Sequence, residues 1–594
     1  MVSFKNCLVF AASAALAAGL QGCGGGGGGS PAQPVAVTLS PAPPATLSLS
    51  DTASLSAVVA NDSAQAGVVW TVKCGGSDCG TFSPPSTGSG ASTVYAPPAT
   101  MPSPASITIR AASVTDPGKS ATATVQLTAP TAPVLADGTY VFHLSGIDAN
   151  GAYFLAGAFK VVGGVITAGE QDYSDAVYGS ADSLLAAESS LKTSGKNIQI
   201  VLATQDSQVG VNGVETLRGT AVSATRVLIS EFDSSATATG SIDLQTSLAE
   251  PSGAFAFAVQ GDDTGSGNAL VMGGILSFTG TTLTVSGSMF DLNDGGAVLE
   301  NQTFASGSVS APDAFGRVTL DLTPSAVSQV PGVKFSAYVV SPQRLQLIED
   351  QSDVLNANLG GTALGQGANA GRFTQASVAG ASYAHGTSGA DAVNGALTLA
   401  GGFGLNANGT VGGRMAFVDS GNHQGNDISG SYTVESNGRV MLDQIALDNT
   451  GVTLNFVLYL DGDGNGLLIG VDQFQVTEGM AYAQMSGASL SGSYALSAIG
   501  TNSAGTYSAV GPVGVSAGAF SGTTDYNNDG LPVSAVALGG SQNTSNGELQ
   551  LTGLSGDTTT GSTWGYYPID ASRTLAIEVD GQQLGLMMLE QQSP

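Results

Sequence analysis

Gly138-Thr139-Tyr140-Val141-Phe142 decides how this chain is read, because it returns as Gly253-Ala254-Phe255-Ala256-Phe257, Gly380-Ala381-Ser382-Tyr383 and Gly492-Ser493-Tyr494. A glycine followed by an aromatic strand thus opens four successive copies of one unit. Later in each copy comes a hairpin: Phe315-Gly316-Arg317-Val318, Asn437-Gly438-Arg439-Val440 and Asn546-Gly547-Glu548-Leu549, with Ser194-Gly195 and Ile198 as the looser first version. Asn-Gly before alternating apolar residues is a strong signal for a tight hairpin turn. A third signature closes the copies: Arg226 to Asp233, Arg344 to Asp350 and Arg573 to Asp580 each carry a Glu five positions after the Arg. In the third copy Asn465 and Gly470 replace both residues, so the Arg and Glu are expected to pair at a hairpin mouth.

The expected class is all-β: an N-terminal sandwich followed by four antiparallel meanders at 131–250, 251–371, 372–488 and 489–594. Counting runs between turns gives about six to eight strands per copy, enough to close into a barrel or fold as a sandwich. A β-propeller with two blades per copy is the alternative. A membrane-spanning barrel is disfavoured, because the strands lack sustained lipid-facing alternation. Ser183 to Leu191 suits a helix by propensity, but its place in the repeat predicts strand.

Composition agrees. The 594 residues include 84 glycines, which suit tight turns between short strands. Acidic residues outnumber basic ones 45 to 16, for a formal charge of -29. Such a balance opposes phosphate backbones, so nucleic acid is not an expected partner.

Before the repeats, Lys5 and the apolar run Cys7 to Leu20 read as a targeting segment at 1–22, too short for a membrane span. Leu20-Gln21-Gly22-Cys23 follows and resembles the lipobox of bacterial lipoproteins. The resemblance implies cleavage before Cys23, acylation of that cysteine and membrane attachment through the lipid. Gly24 after the cysteine is similar to the pattern of outer-membrane members in two-membrane cells. Gly24 to Gly29, Ser30 and the prolines behind them make 23–34 a flexible tether.

In the module at 35–130, Cys74 and Cys79 are the remaining cysteines of the mature chain, and outside the cytoplasm they are expected to form a disulfide. The strand around Trp70, Tyr95-Ala96-Pro97-Pro98 and the turn Asp116-Pro117-Gly118-Lys119-Ser120 resemble a bacterial immunoglobulin-like domain. Modules of that family serve mostly as spacers and sometimes as adhesive surfaces.

Few residues suggest chemistry. Asp461, Asp463 and Asn465 in Asp461-Gly462-Asp463-Gly464-Asn465-Gly466, with Asp472, have the oxygen spacing of a calcium loop. Strand-like flanks favour a polar hairpin turn, with calcium as the alternative cofactor. Gly514-Val515-Ser516-Ala517-Gly518 matches a nucleophile elbow, yet no histidine follows it; the three are His143, His385 and His423. The chain is therefore read as a non-catalytic, surface-displayed binding or adhesion lipoprotein with an extracellular carbohydrate or protein ligand. A structural envelope component is the second reading and a polymer-degrading enzyme the third.

Overall fold

The computed structural model describes residues 33–593, apart from 50–52, 99–100, 129–134, 354, 394, 420–421, 449, 486–489, 544–547, 555–561 and 582. The leader with Cys23, and Asn546-Gly547 of the fourth hairpin, lie outside the described residues. The chain divides into two compact units between Thr131 and Ala132.

The first unit is a pair of sheets, four- and six-stranded, around one core. Its strands are short and alternate inside to outside, as in Val68–Cys74. Trp70, Tyr95, Ile109 and Val125 fill the core. Their polar ends are satisfied there: Trp70 Nε1 donates to Thr87 Oγ1 at 3.0 Å and Tyr95 Oη to the Cys79 carbonyl at 2.7 Å. Cys74 and Cys79 are joined by a disulfide across a hairpin, with Cα atoms 5.6 Å apart.

The second unit is four antiparallel barrels, at 138–244, 253–365, 382–483 and 492–591. The third and fourth each close through eight strands. The second closes by the pairing of Gly253–Asp263 with both Asn268–Thr279 and Ala357–Gly365. The first runs as a nine-stranded sheet from Gly179–Ser183 to Ser190–Ser194. Its 184–189 stretch is the turn joining those two strands, so the single strand expected over Ser183 to Leu191 is not formed. The last three copies close on themselves and the first forms one continuous nine-stranded sheet, which removes the propeller alternative of two blades per copy. Period-two alternation sends one set of side chains inward, and each barrel interior is filled by a mainly apolar core.

The other face of the first two strands packs on the neighbouring barrel. Ala156 and Ala158 of the first barrel meet Tyr338 and Ile348 of the second. Ala256, Ala258 and Val271 of the second meet Val457, Tyr459 and Ile469 of the third. Ala384, Ala400 and Ala416 of the third meet Leu575 and Ile577 of the fourth. Ala495 and Val510 of the fourth meet Leu228 of the first. The same surface of each copy therefore docks on the last strands of the next, and the fourth docks back on the first. This is a closed ring with head-to-tail interfaces, made within one chain.

Small residues let the barrels approach. A Cβ on Gly273 would stand 2.5 Å from the Tyr459 ring of the next barrel. Buried charge then fixes the register. Arg439 of the third barrel reaches Asp291 of the second through Nε at 2.7 Å and Nη2 at 3.0 Å. Arg317 of the second reaches Asp172 of the first in the same way, at 2.7 Å twice. Strand register places Ala416 and Asp525 at the equivalent positions of the third and fourth copies. The hairpin equivalents that Ala416 and Asp525 would meet are Glu548 and Asn197, so both members of the pair are lost between the third and fourth copies, while between the fourth and first the acid stays and the arginine is lost.

The expected Arg–Glu pair of the closing signature is not formed. Arg226 and Glu231 are five residues apart on one strand and so point to opposite faces. Arg226 instead binds Asp243 at 2.6 Å and Glu590 of the fourth barrel at 2.8 Å. Arg344 reaches back to Asp243 of the first barrel at 3.2 Å, and Arg573 stacks over Tyr482 of the third. Each arginine thus addresses the last strand of the preceding copy. For Asn465 the corresponding residue is Leu364, which explains why the arginine is lost there.

Breaking one buried pair tests this account. Asp291→Ala leaves the Arg439 guanidinium, 3% exposed, without its main partner, and is expected to cost about 3 kcal/mol. Adding Arg439→Met should recover a large part of the loss, measured as the shift in the urea midpoint of 131–594 and of the full chain.

Candidate functional site

The four cores are filled, and besides a polar cleft on the third barrel lined by Arg414, Asn426 and Asp448 the second unit holds open space where the barrels meet. Gly146, Gly261, Gly389 and Gly500 occupy one position in the four first strands, and a Cβ on any would sit about 2 Å from a carbonyl of the adjoining last strand, between 1.7 and 2.1 Å. Those glycines let first and last strands cross closely, and all four line one cavity of about 420 Å³. Every barrel contributes to its wall. Ile147, Leu270, Leu397, Ile499, Leu584 and Leu586 give it an apolar lining. Ser145, Gln260, Ser388 and Thr501 supply hydroxyls and an amide. Asp262 at the first–second boundary is held by the Ala152 amide at 2.8 Å.

Register sets an acid next to this wall. Val476 lines the cavity beside Ala390, and Glu478, two residues on and on the same strand face, pairs with the cavity residue Ser388. In the fourth barrel the equivalent positions are Leu584 and Leu586, both in the cavity wall. Thr239 and Gly360 are the equivalents in the first two barrels. Glu478 is half-buried and makes no side-chain hydrogen bond or ion pair among the described residues. Burial alone pushes its carboxyl up to about 7.

A second set of acids lies inside the barrels. Glu231, Glu349 and Glu578, the Glu of the closing signature, are buried in the first, second and fourth copies. Burial first raises all three, Glu349 to about 10 and Glu578 to about 8, so they stay protonated at neutral pH. Glu578 accepts from Gln583 Nε2 at 2.6 Å and from Tyr507 Oη at 3.2 Å. Around Glu231 gather Glu215 and Asp233, with carboxylate oxygens within 4.8 Å of one another, and Tyr153 Oη lies 3.4 Å from both glutamates. Asp233 is also bound by the Thr216 amide at 2.9 Å and the Ser235 amide at 2.8 Å. In the third copy Gly470 takes the place of the Glu, and a Cβ there would meet Gln475 Cδ at 2.8 Å; the amide of Gln475 fills the vacated space. These acids are part of the barrel interior.

His385 occupies the position of Phe142, Phe257 and Leu496 in the third barrel core. Its ring lies 5.4 Å from Phe403, neither nitrogen has a hydrogen-bond partner, and burial pushes it down to about 4. His143 is lowered to about 4 by burial and then by the charge of Arg344. His423 stands on a different strand, Asn422–Val434, and is lowered by burial.

The residues with calcium-loop spacing are not gathered. Asp461 and Asp472 lie at opposite ends of strand Gly466–Gly470. Asp461 Oδ1 accepts from the amides of Asp463 and Asn465, at 2.8 Å each, and so closes a hairpin turn. Asp472 accepts from the amides of Asn455 at 2.7 Å and Phe474 at 2.8 Å, as Asp233 and Asp580 do from Thr216 and Thr563 in their copies. Ser516 ends strand Gly505–Ser516 at an exposed hairpin. The axial cavity and Glu478 were not visible from the sequence, since they depend on how barrels meet. The one available signal was the glycine six residues after each opening aromatic, as in Tyr140 to Gly146.

No family model matches the chain, and no curated protein matches it in sequence. Among solved structures, a crystal structure of a protein of unknown function from the DUF3598 family of Nostoc punctiforme aligns at 15% identity. It covers 35% of this chain and 95% of its own, with a TM-score of 0.12.

Two outcomes follow from the buried groups. A carboxyl raised in the folded state keeps its proton while the unfolded chain releases it, so stability is full below about pH 4.5 and falls as pH rises toward the folded value. Melting temperature is therefore expected to drop between pH 5 and pH 9, and Glu578→Gln should make that slope shallower, by up to about 1.4 kcal/mol per pH unit. His385→Phe, which installs the residue of the first two copies, should raise the melting temperature through about 1–2 kcal/mol of relieved desolvation.

Proposed function

We propose that this chain is a lipid-anchored envelope protein of the cell surface whose four-barrel ring is a non-catalytic binding module. The observation that carries the reading is the cavity built jointly by all four barrels, since its volume falls in the range of small-ligand sites and its wall is apolar with a few hydroxyls and amides. A ring of rigid, filled barrels also holds such a site without large rearrangement on binding.

Export is supported by the leader, the Leu20-Gln21-Gly22-Cys23 segment and the Cys74–Cys79 disulfide, a bond that persists outside the reducing cytoplasm. In this reading Cys23 carries the lipid, 23–34 is a tether, and the two-sheet unit is a bacterial immunoglobulin-like spacer. The ligand is extracellular, and the acidic surface turns away polyanions.

Two variants test the parts separately. Cys23→Ala should move the protein from the membrane to the soluble fraction and change its mature mass; unaltered fractionation would end the anchoring proposal. Ile499→Trp should fill the cavity and abolish saturable binding of small amphiphiles measured by calorimetry, with the melting temperature reporting that the ring is intact.

A further inference from the structure

We infer that the axial cavity takes a cationic amphiphile, a primary or quaternary alkylammonium, with its head on Glu478 and its hydrocarbon against the apolar wall. This rests on the cavity being the binding site proposed above. Three features of the wall lead there.

The first is that Glu478 is the single departure to charge at its level. The equivalents are Thr239, Gly360 and Leu586, neutral residues, so nothing in the repeat requires an acid there. A carboxylate that neighbours leave unsatisfied is costly to keep in such a place unless something pairs with it.

The second is that, among the described residues, the strands around Glu478 bring no lysine or arginine to it. The strands flanking Glu478, Ser382–Asp391 and Gly466–Gly470, hold Tyr383, His385 and Asp391 as their titratable residues. His385 is turned into the barrel core against Phe403. From the second barrel, Gly253–Asp263 and Asn268–Thr279 pack on the Glu478 strand, and their charged residues are Asp262 and Asp263 at the hairpin end. Across the axis, Gly138–Asp148 brings His143 and Asp148, Ala236–Leu244 brings Asp243, Gly492–Asn502 brings none and Leu584–Gln591 brings Glu590. Arg226, Arg344 and Arg573, at the far end of the ring, are engaged by Asp243, Glu590, Asp570 and the Tyr482 ring. The field at Glu478 is that of a lone acid among acids, which selects a positive ligand over a negative one.

The third is the remainder of the lining. Leucines and isoleucines from all four barrels line the cavity, so an inorganic cation would leave that surface unmatched while an alkyl chain buries it. Hydroxyls at Ser145 and Ser388 stand ready for the hydrogens of an ammonium.

The test is isothermal titration of the full chain with hexylamine, hexyltrimethylammonium, 1-hexanol and hexanoate at pH 5.5 and pH 8. The two cations are expected to bind at least ten-fold more tightly than hexanol at pH 8, and hexanoate not at all. Their advantage should shrink at pH 5.5, where Glu478 holds its proton. Glu478→Gln should remove the advantage of the cations and its pH dependence while hexanol binding persists. Hexanol binding as well as the cations at pH 8, or Glu478→Gln leaving the cation affinity unchanged, would overturn the cationic assignment and leave the cavity as a binding site. Binding of none of the four, or binding that Ile499→Trp does not diminish, would overturn the cavity reading itself.

Discussion

The contact between the fourth barrel and the first holds the structure to its form. A surface that docks head to tail on a copy of itself has no natural end, and without closure it makes a filament. Three of the four interfaces here join barrels that follow one another in the chain. The fourth joins residues nearly the whole ring apart in sequence, such as Arg226 and Glu590. Once three interfaces are formed, the two free ends already face one another, and the closing contact is made at high effective concentration.

That contact is accordingly built differently. Its shared apolar cluster is small, with Leu228, Ala495 and Val510 at its centre. Polar groups specify it instead. Ser230 and Ser508 share a buried hydrogen bond of 2.7 Å, and Asn527 Nδ2 reaches the carbonyls of Glu231, Asp233 and Ala236 at 2.9 to 3.2 Å. Asn293 does the same for Gly470, Asp472 and Gln475 between the second and third barrels, at 2.8 to 3.0 Å. One amide bound to three carbonyls tolerates little slippage, because any shift strands a buried acceptor. Polar register and alanine faces together explain a composition rich in small residues with few charges.

Much of this was legible. The four copies, the antiparallel strands and the barrel option follow from aromatic openings, hairpin turns and period-two alternation, all local signals. The pairing of Arg226 with Glu231 was misread for a reason also present in the sequence, since an odd separation on a strand puts two side chains on opposite faces. What alternation cannot say is which outward face meets another barrel. Asp172 and Arg317 are 145 residues apart, and only the docking of copies makes them partners. The Asp461 loop forms the polar hairpin turn that its strand-like flanks favoured. Its spacing imitates a metal site because a hairpin turn also needs carboxylates that accept backbone amides two and four residues on.

Repetition itself separates structure from function. Several positions that serve the ring recur together with their partners: Arg439 with Asp291 and Arg317 with Asp172, while Asn465 stands opposite Leu364 where Arg226 and Arg344 meet Glu590 and Asp243. Glu578, Glu349 and Glu231 recur because the barrel interior has room for a protonated carboxyl, and Gln475 fills that room when the Glu is gone. Glu478 obeys neither rule. It has no acidic counterpart in the other copies, no side-chain hydrogen bond or ion pair among the described residues, and a strand partner, Ser388, in the wall that all four barrels share. An acid where the other copies hold Thr239, Gly360 and Leu586 marks a place where the symmetry was given up, and a position beside an axial cavity is one where a single substitution serves the whole ring.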